Sequence, residues 1–256
     1  YPLYLLFVER MMTTVLAADT RIPKTVAIQV ISELAELTLM EVFDRHRMNE
    51  QSIRQVSQSV TGCMRLLDKD PVGLTNLFRA LARKPYHIKH AFGTTVWALI
   101  LGRLDGLQGE KTMLTIGMGG MTHDVGMTKL TFDPEEKGEL SGEEWKEIKT
   151  HPQLGKRLLD TVRAAGPEVR QIAIQHHEQP NGLGYPNGLH NLQIFHLAKI
   201  VSIADSFSAL NSSRPYRPQA FSPAEAIEVM REDQGKFDPK LLKLFADQMI
   251  RVKKTA

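Results

Sequence analysis

The sequence predicts an all-α fold, a helical bundle with a smaller helical region at its N-terminus. The first reason is the spacing of apolar residues, which in residues 22–46 recur every three to five positions, as one face of an amphipathic helix requires. These residues are Val26, Val30, Leu34, Leu37 and Val42. The second reason is that no run of alternating apolar and polar residues is long enough to indicate a strand. We therefore expect short helices packed on one another and joined by loops rich in Gly, Pro and Asp.

The predicted helices divide the chain into two regions. They cover residues 22–46, 49–66, 72–83, 87–104, 111–123, 142–162, 166–178, 192–210 and 222–232. Pro85 marks a joint, because a residue that precedes proline is disfavoured in a helix. We place a boundary near residue 80. Residues 1–80 are then expected to form an N-terminal helical region that serves in sensing or in homodimerisation, or that merely completes the bundle, and residues 81–256 to form the domain that carries the chemistry.

Composition and charge are those of an ordinary globular protein. Hydrophobic residues make up 42% of the 256 residues and charged residues 24%, and a net charge of +3 does not indicate a nucleic-acid polymer as partner. The one cysteine, Cys63, excludes an internal disulfide and a thiolate metal cluster, which agrees with a cytoplasmic location. The apolar opening YPLYLLF is too short to span a bilayer. Because the sequence does not begin with Met, we expect a further region upstream.

Polar residues continue the apolar stripes of five successive predicted helical segments. In EVRQIAIQHH the stripe of Val169 and Ile172 leads to His176 and His177. The complete set of such inward polar residues is His90, His123, Asp124, His151, His176, His177 and Asp205. From one segment to the next these residues are 25 to 33 positions apart, which is about the length of one helical hairpin. In a helical bundle, residues with this spacing would meet in one cavity.

Taken singly, each of these residues has a plain structural interpretation. A lone His on an apolar face is usually a satisfied core residue, and a buried Asp often caps a helix or pairs with Arg. As a set they favour a metal site, because a carboxylate facing a core is costly unless it is paired or bound to a metal. Imidazole and carboxylate without thiolate suit Fe, Mn, Ni or Zn. Five His and two Asp are too many for one tetrahedral site, so we expect two ions, with Asp124 placed to bridge them.

The same residues lie within stretches that resemble a known family. The dipeptide His123-Asp124 is similar to the signature of the HD superfamily of metal-dependent phosphohydrolases, and HHEQPNGLGYPNG, residues 176–188, resembles that of its HD-GYP subfamily. The stretches KGELSGEEWKEIKTHPQLG, AKIVSIADSFSALNSSRPYR and GKFDPKLLKLF resemble the same subfamily. The resemblance covers about residues 85–247.

This resemblance implies an HD-domain helical bundle and a bacterial cyclic-di-GMP phosphodiesterase that yields pGpG or GMP. It implies two divalent metal ions, iron or, as the alternative, manganese. One ion would be bound by His90, His123, Asp124 and Asp205, and the other by Asp124, His151, His176 and His177. Some members bind a third ion through a Glu four residues before the first His, and because that position is Tyr86 here, we expect two.

The resemblance also implies residues that bind substrate. Arg214 and Arg217 in SSRPYR would grip the phosphates of the cyclic dinucleotide, because guanidinium binds phosphate in a fixed bidentate geometry. Without the motif, both would be interpreted as solvated surface residues. Tyr185 in the glycine-rich loop, the GYP loop, would lie near the cavity mouth and touch the substrate or a protein partner.

One departure from the family bears on activity. The family usually reads HDIGK, with a lysine aimed at the scissile phosphate, whereas this sequence reads HDVGMTK and has Met127 in that place. Methionine can neither donate a proton nor stabilise phosphate charge. Lys129 would act as a catalytic residue beside Asp124 only if the loop is remodelled. Three hypotheses follow: cyclic-di-GMP hydrolysis, an HD-GYP module that binds cyclic-di-GMP or a partner protein with little or no turnover, and hydrolysis of another cyclic dinucleotide or nucleotide phosphoester.

Overall fold

The computed structural model describes residues 2–17, 22–69, 77, 84–137, 139–214 and 217–255. Its helices are α1 (Pro2–Leu16), α2 (Lys24–Phe43), α3 (Glu50–Lys69), α4 (Tyr86–Leu104), α5 (Glu110–Thr122), α6 (Gly142–Ile148), α7 (His151–Asp160), α8 (Pro167–Gln175), α9 (His196–Leu210), α10 (Pro223–Glu232) and α11 (Pro239–Thr255). Short 3-10 turns cover Val125–Lys129, Pro134–Glu136, Arg163–Ala165 and Asn191–Gln193. The described residues contain no strand, so the predicted all-α fold is confirmed.

Helix α4 runs through the centre of the bundle and packs against α5 and α9. Its buried residues include Ile88, Phe92 and Ala98 and lie on all sides, which is the pattern of a helix enclosed by others. Trp97 makes edge-to-face ring contacts with Phe207 of α9 and Phe245 of α11, at centroid distances of 5.1 and 6.0 Å. These contacts hold α4 in place, and with it the polar residues at its N-terminal end. Among the described helices, none has the length and apolar character needed to cross a membrane.

The N-terminal helices share a hydrophobic core with the rest of the chain. Helix α2 packs on α4 and α3 packs on α5, and the buried residues from Val8 to Met249 belong to one continuous cluster. The predicted helix 72–83 lies outside the described residues, apart from Leu77. The division of the chain near residue 80 falls in the same undescribed stretch and stays a prediction.

Two predicted helices end or break where the sequence analysis did not place an end. The helix predicted over 142–162 is two helices, α6 and α7, so His151 begins α7 and does not close the preceding helix. Pro152 favours this start, because proline is suited to the first turn of a helix, where its missing N–H is not needed. The helix predicted over 166–178 ends at Gln175, which puts His176 and His177 in the turn after it. Helices α1 and α11 were not predicted.

Candidate metal centre

The seven polar residues that the sequence analysis expected to converge do lie together. They come from the first half of α4, the two residues after α5, the start of α7, the turn after α8, and the second half of α9. Those residues are His90, His123, Asp124, His151, His176, His177 and Asp205. The ring and carboxylate atoms approach within a few ångströms of one another in three overlapping groups, each able to hold a metal ion.

Asp124 lies between two pairs of histidines, and each of its oxygens faces one pair. Its Oδ2 is 3.5 Å from Nε2 of His90 and 3.3 Å from Nε2 of His123. Its Oδ1 is 3.2 Å from Nε2 of His151 and 3.6 Å from Nε2 of His176. The carboxylate is therefore placed to serve two adjacent groups of donors.

The remaining two residues complete these groups. Oδ1 of Asp205 is 3.1 Å from Nε2 of His90 and 3.7 Å from Nε2 of His123, so Asp205 stands with the first pair. His177 offers a donor atom to the second group, whose ligand atoms with Asp124, His151 and His176 all lie within 4.8 Å of one another. Each group thus contains four donors, with Asp124 in both.

Three of the imidazole rings are oriented by backbone carbonyl groups. Nδ1 of His123, His151 and His176 each contacts the carbonyl oxygen three residues earlier. The three carbonyls belong to Gly120, Ile148 and Ala173, at 2.7, 2.7 and 2.8 Å. Because a carbonyl oxygen can only accept, each Nδ1 carries a hydrogen, so Nε2 is the atom that faces the centre and that can offer a lone pair to a metal ion when the ring is neutral. This is the outer hydrogen bond that metal-binding histidines make.

The donor set fits divalent cations. Nε2 of His151 and Nε2 of His176 are 3.1 Å apart, and Nε2 of His90 and of His123 are 3.3 Å apart. When the Nδ1 atoms hold the hydrogens, no hydrogen remains for the His151–His176 contact, so two lone pairs face each other. A cation among them removes this repulsion, and nitrogen and carboxylate oxygen without sulfur are the donors that Fe, Mn and Zn accept.

Burial and mutual contact set the charges in the cluster. Burial opposes the charge of Asp124, but His123, His151 and His176 outweigh it and hold the pKa of this carboxyl well below its usual range. The pKa of Asp205 is likewise held well below its usual range, because His123 and His90 outweigh the cost of burial. Burial, reinforced by the neighbouring histidines, lowers the pKa of His177 well below its ordinary value. Charged carboxylates and a neutral His177 are the forms that bind metal.

The 3-10 turn that follows Asp124 presses against the first turn of α7. A Cβ atom added to Gly126 would overlap the carbonyl oxygen of His151 and would lie 2.5 Å from the backbone nitrogen of Gly155. Two glycines therefore allow this turn and α7 to touch backbone to backbone. The close contact sets Asp124 against His151.

Glu178, which follows the paired histidines, anchors the glycine-rich loop. Its buried carboxylate accepts hydrogen bonds from the backbone N–H groups of Asn187 and Leu189, with N···O distances of 2.7 and 2.8 Å. The backbone N–H of Tyr185 donates to the carbonyl of His177 at 3.1 Å, and the Tyr185-Pro186 peptide bond is cis. This role of Glu178 was not predicted from the sequence, where Glu178 appears only as part of the HHEQPNGLGYPNG motif. An acidic residue directly before a loop full of backbone donors was the available signal.

Tyr185, predicted to lie near the cavity mouth, is one of the residues that line the cavity. Its ring is 4.7 Å from the ring of His177, centroid to centroid, and Nζ of Lys149 is 5.9 Å from its centroid. Burial, with smaller contributions from Asp205 and Asp124, raises the pKa of the Tyr185 hydroxyl, which stays a neutral group. The GYP loop therefore presents an aromatic face next to the second donor group.

Five residues of the cluster line a cavity of about 790 Å³: His90, Asp124, His151, His177 and Asp205. This volume is within the usual range for sites that enclose a small molecule. Aromatic rings of Phe43, Tyr86, Phe132 and Trp145 line its walls. Phe43 is the last residue of α2, so the N-terminal helices contribute to the cavity that His90, His151 and His177 also line.

The two arginines predicted to bind phosphate have different surroundings. Arg214 lines the cavity, but Arg217 does not. Instead, Arg217 donates to the carbonyls of Ala209 and Ser212, and its guanidinium lies 4.9 Å from the ring centroid of Phe221. The structure therefore shows Arg217 bound to the end of α9, and its predicted contact with substrate stays a prediction.

The structure also places the residues around position 127, where the family usually has a lysine and this chain has methionine. Met127 and Thr128 line the cavity near Asp124, as the family pattern implied for position 127. Lys129 is exposed and is not among the residues that line the cavity, so the structure does not bring it to the site. The remodelled loop that a catalytic Lys129 would require is not observed.

The bundle, the shared aspartate and the cavity together define the class, a helical metal-dependent hydrolase. A family model of the HD domain matches residues 42–241, and the chain belongs to this family. The family recognised from His123-Asp124 and the neighbouring motifs is thereby confirmed.

Individual proteins similar to this chain include named phosphodiesterases. A cyclic di-GMP phosphodiesterase of Pseudomonas aeruginosa is 32% identical over 179 residues, which are 69% of this chain and 42% of the relative. The 3'3'-cGAMP-specific phosphodiesterase 2 of Vibrio cholerae is 32% identical over 127 residues, 49% of this chain and 24% of the relative. The chain thus spans less than half the length of these curated relatives.

Among solved structures, the HDG"Y"P protein Bd1817 from Bdellovibrio bacteriovorus has a similar fold. The TM-score is 0.78 at 18% sequence identity, and the match covers 96% of this chain and 79% of that one. At this identity the likeness concerns the fold alone. It extends over α1–α3 as well, since nearly the whole chain is covered.

Proposed function

We propose that this chain is a metal-dependent phosphodiesterase that hydrolyses cyclic-di-GMP to pGpG or GMP. The observation that carries the proposal is the carboxylate of Asp124, whose two oxygens each face a separate pair of imidazoles at the base of a ligand-sized cavity. The names of similar proteins support cyclic-di-GMP as substrate.

The two donor groups would each hold one divalent ion, iron or, as the alternative, manganese. The first group is His90, His123 and Asp124, joined by Asp205, which lies beside both of these histidines. The second is Asp124, His151, His176 and His177. When bound, such a pair of ions would lower the pKa of water and polarise the phosphoryl oxygens. Tyr86, at the position of the third-metal glutamate, offers no carboxylate, which supports two ions.

The chain's own residues would bind and orient the substrate. Arg214 at the cavity wall supplies a guanidinium with fixed bidentate geometry for a phosphate. Tyr185 and Trp145 offer aromatic faces against which a base can stack. A substrate bound by these groups in the cavity beside Asp124 would be oriented for an in-line displacement.

The test is metal analysis and a product assay on one anaerobic preparation loaded with iron or manganese. We expect linear product from the unmodified protein. Asp124→Asn should lose metal and lower turnover at least about a hundredfold, because it removes the donor shared by both groups. Asp160→Asn, at an exposed ion pair on α7, is the matched control and should change neither quantity. Full metal occupancy without hydrolysis of any cyclic dinucleotide would contradict the proposal.

A second candidate function is a module that binds cyclic-di-GMP or a protein with little turnover. The observation in its favour is that Met127 lines the cavity while Lys129 is exposed outside it. Calorimetry of the metal-loaded protein would then record binding of the dinucleotide with no product formed. Binding accompanied by product at a steady rate would exclude this candidate.

A third candidate keeps the enzyme and changes the substrate to another cyclic dinucleotide. The similarity to a 3'3'-cGAMP-specific phosphodiesterase supports it. Rates compared over several cyclic dinucleotides, under the same metal loading, distinguish it from the first proposal.

Three further expectations are also proposals. A protein partner at the GYP loop is supported by the exposed side chains of Leu183 and Leu192. Homodimerisation through the N-terminal helices is supported by Leu3 and Phe7, which are exposed on α1. The cytoplasmic location rests on the sequence argument from Cys63.

A further inference from the structure

Arg214 is held on two sides by groups of the cavity wall. Its Nη1 is 3.0 Å from Oε1 of Glu135, and both side chains are mostly buried. On the other side, its guanidinium lies 3.9 Å from the ring centroid of Tyr86 and donates to the Tyr86 hydroxyl oxygen. The arginine that suits a substrate phosphate therefore already has a carboxylate as its partner.

This arrangement lies next to the first donor group of the candidate metal centre. The Tyr86 ring stacks on the His90 ring, with centroids 5.1 Å apart and planes 12° apart. Glu135, Arg214, Tyr86 and His90 all line the same cavity. A phosphate bound to Arg214 would thus lie near the first donor group, because the Tyr86 ring contacts both Arg214 and His90.

The carboxylate of Glu135 is held in the cavity wall by the guanidinium of Arg214. Burial raises the pKa of this carboxyl, and Arg214 acts in the opposite direction. The N–H donors of Arg214 are therefore occupied by a carboxylate whose ionisation is disfavoured by burial. A phosphate, with more acceptor oxygens than a carboxylate, makes better use of the same donors.

The element that carries Glu135 is short. Glu135 is the middle residue of the three-residue 3-10 turn Pro134–Glu136, whose start is capped by the Asp133 side chain, 2.8 Å from the Glu135 backbone nitrogen. Such a turn can move the glutamate aside without unfolding a helix. Tyr86, on α4, would keep Arg214 in position when Glu135 leaves.

We propose that Glu135 occupies a phosphate subsite in the ligand-free protein, and that a phosphate of the cyclic dinucleotide replaces it on Arg214. The inference rests on the proposed function, since it names a substrate subsite of that cavity. A cyclic dinucleotide carries two phosphates, and the one at Arg214 would be the phosphate that is not being cleaved at the metal centre. Glu135 is then an internal competitor that weakens binding of the ligand.

Binding of cyclic-di-GMP to the metal-loaded protein, measured by calorimetry, tests this role. Glu135→Gln removes the charge that competes for Arg214. It should lower the apparent dissociation constant about three- to tenfold, because Arg214 no longer has to release a carboxylate before it binds the phosphate. Glu136→Gln, on the same turn but exposed, is the matched control and should leave the dissociation constant unchanged. Thermal melting of each variant confirms that it is folded.

A second pair of variants ties the effect to Arg214. Arg214→Gln should weaken binding, and in that background Glu135→Gln should change the dissociation constant no further. Equal or weaker binding by Glu135→Gln than by the unmodified protein overturns the inference, because Glu135 would then orient Arg214 and not compete with the ligand. Failure of both the unmodified protein and Glu135→Gln to bind any cyclic dinucleotide contradicts the proposed function itself and the subsite with it.

Discussion

Single residues in this cavity have roles that their residue type alone does not reveal. Asp124 and Asp205 are both acidic residues beside histidines, yet Asp124 faces both pairs of rings while Asp205 faces mainly one. Arg214 and Arg217 are three residues apart, and only Arg214 lines the cavity. The direction in which each side chain points therefore decides its chemistry.

Met127 lines the cavity at the position where the family usually has a lysine. Met127→Lys would place an ammonium group at the cavity wall near Asp124, where it can stabilise charge on a phosphate. We expect kcat for cyclic-di-GMP hydrolysis to rise about tenfold. Met127→Leu keeps the wall apolar and should leave kcat unchanged. A rate that does not respond to Met127→Lys would mean that the missing lysine does not limit the reaction.

At the scale of elements, short segments between helices position the site. The 3-10 turn Val125–Lys129 packs on α7, and the break between α6 and α7 lets His151 begin a helix. The Ser141 capping box at the start of α6 and Pro152 at the start of α7 stabilise this break locally. Three of the histidines of the cluster, His123, His151 and His176, thus lie at helix ends, where backbone carbonyl groups orient them.

Gly126 tests how closely these elements must pack. Gly126→Ala adds a methyl group that would overlap the carbonyl of His151, so the turn and α7 must separate. We expect a loss of about 1–3 kcal/mol in the free energy of unfolding and weaker metal binding. Chemical denaturation and metal titration measure the two effects.

Gly142 provides the matched control for this substitution. A Cβ there meets no atom within 4 Å, so Gly142→Ala should be tolerated. If Gly126→Ala is as stable as Gly142→Ala and binds metal equally well, the backbone contact between the turn and α7 is not needed for the site.

At the scale of the whole molecule, the site joins most of the helices of the bundle. Its donors come from α4, α5, α7 and α9 and from the turn after α8, and the cavity wall extends to Phe43 of α2. Ions bound among these donors would link segments that are far apart in sequence. Folding and metal binding are therefore expected to be coupled.

Removal of metal should lower the melting temperature. A ligand present at a hundred times its dissociation constant stabilises the folded state by about 2.7 kcal/mol, so chelation of the metal-loaded protein should lower Tm by about 5–10 °C. Asp124→Asn should show little or no shift with the chelator. The same Tm before and after chelation, with metal loss verified by analysis, would argue against the coupling.

The sequence by itself determined the helical class and the residues of the cluster. Both follow from local information: the helical period of apolar residues, and polar residues such as His176 at positions where that period requires apolar ones. The family could be named from the motifs for the same reason. The break before His151 was missed, although Pro152 marked it, because the acidic run before it is helical in character.

Only the tertiary structure decided which residues meet. The stretch GMGG, residues 117–120, is glycine-rich for a helix, and the sequence of this stretch is compatible with close packing or with local mobility. A side chain at Gly117, Gly119 or Gly120 would collide with Val60 of α3, Ile172 of α8 or Thr95 of α4, so close packing is the answer. The binding of Arg217 to the end of α9 and the pairing of Arg214 with Glu135 were equally undetermined. Such contacts depend on neighbours distant along the chain, which a pattern in one segment cannot specify.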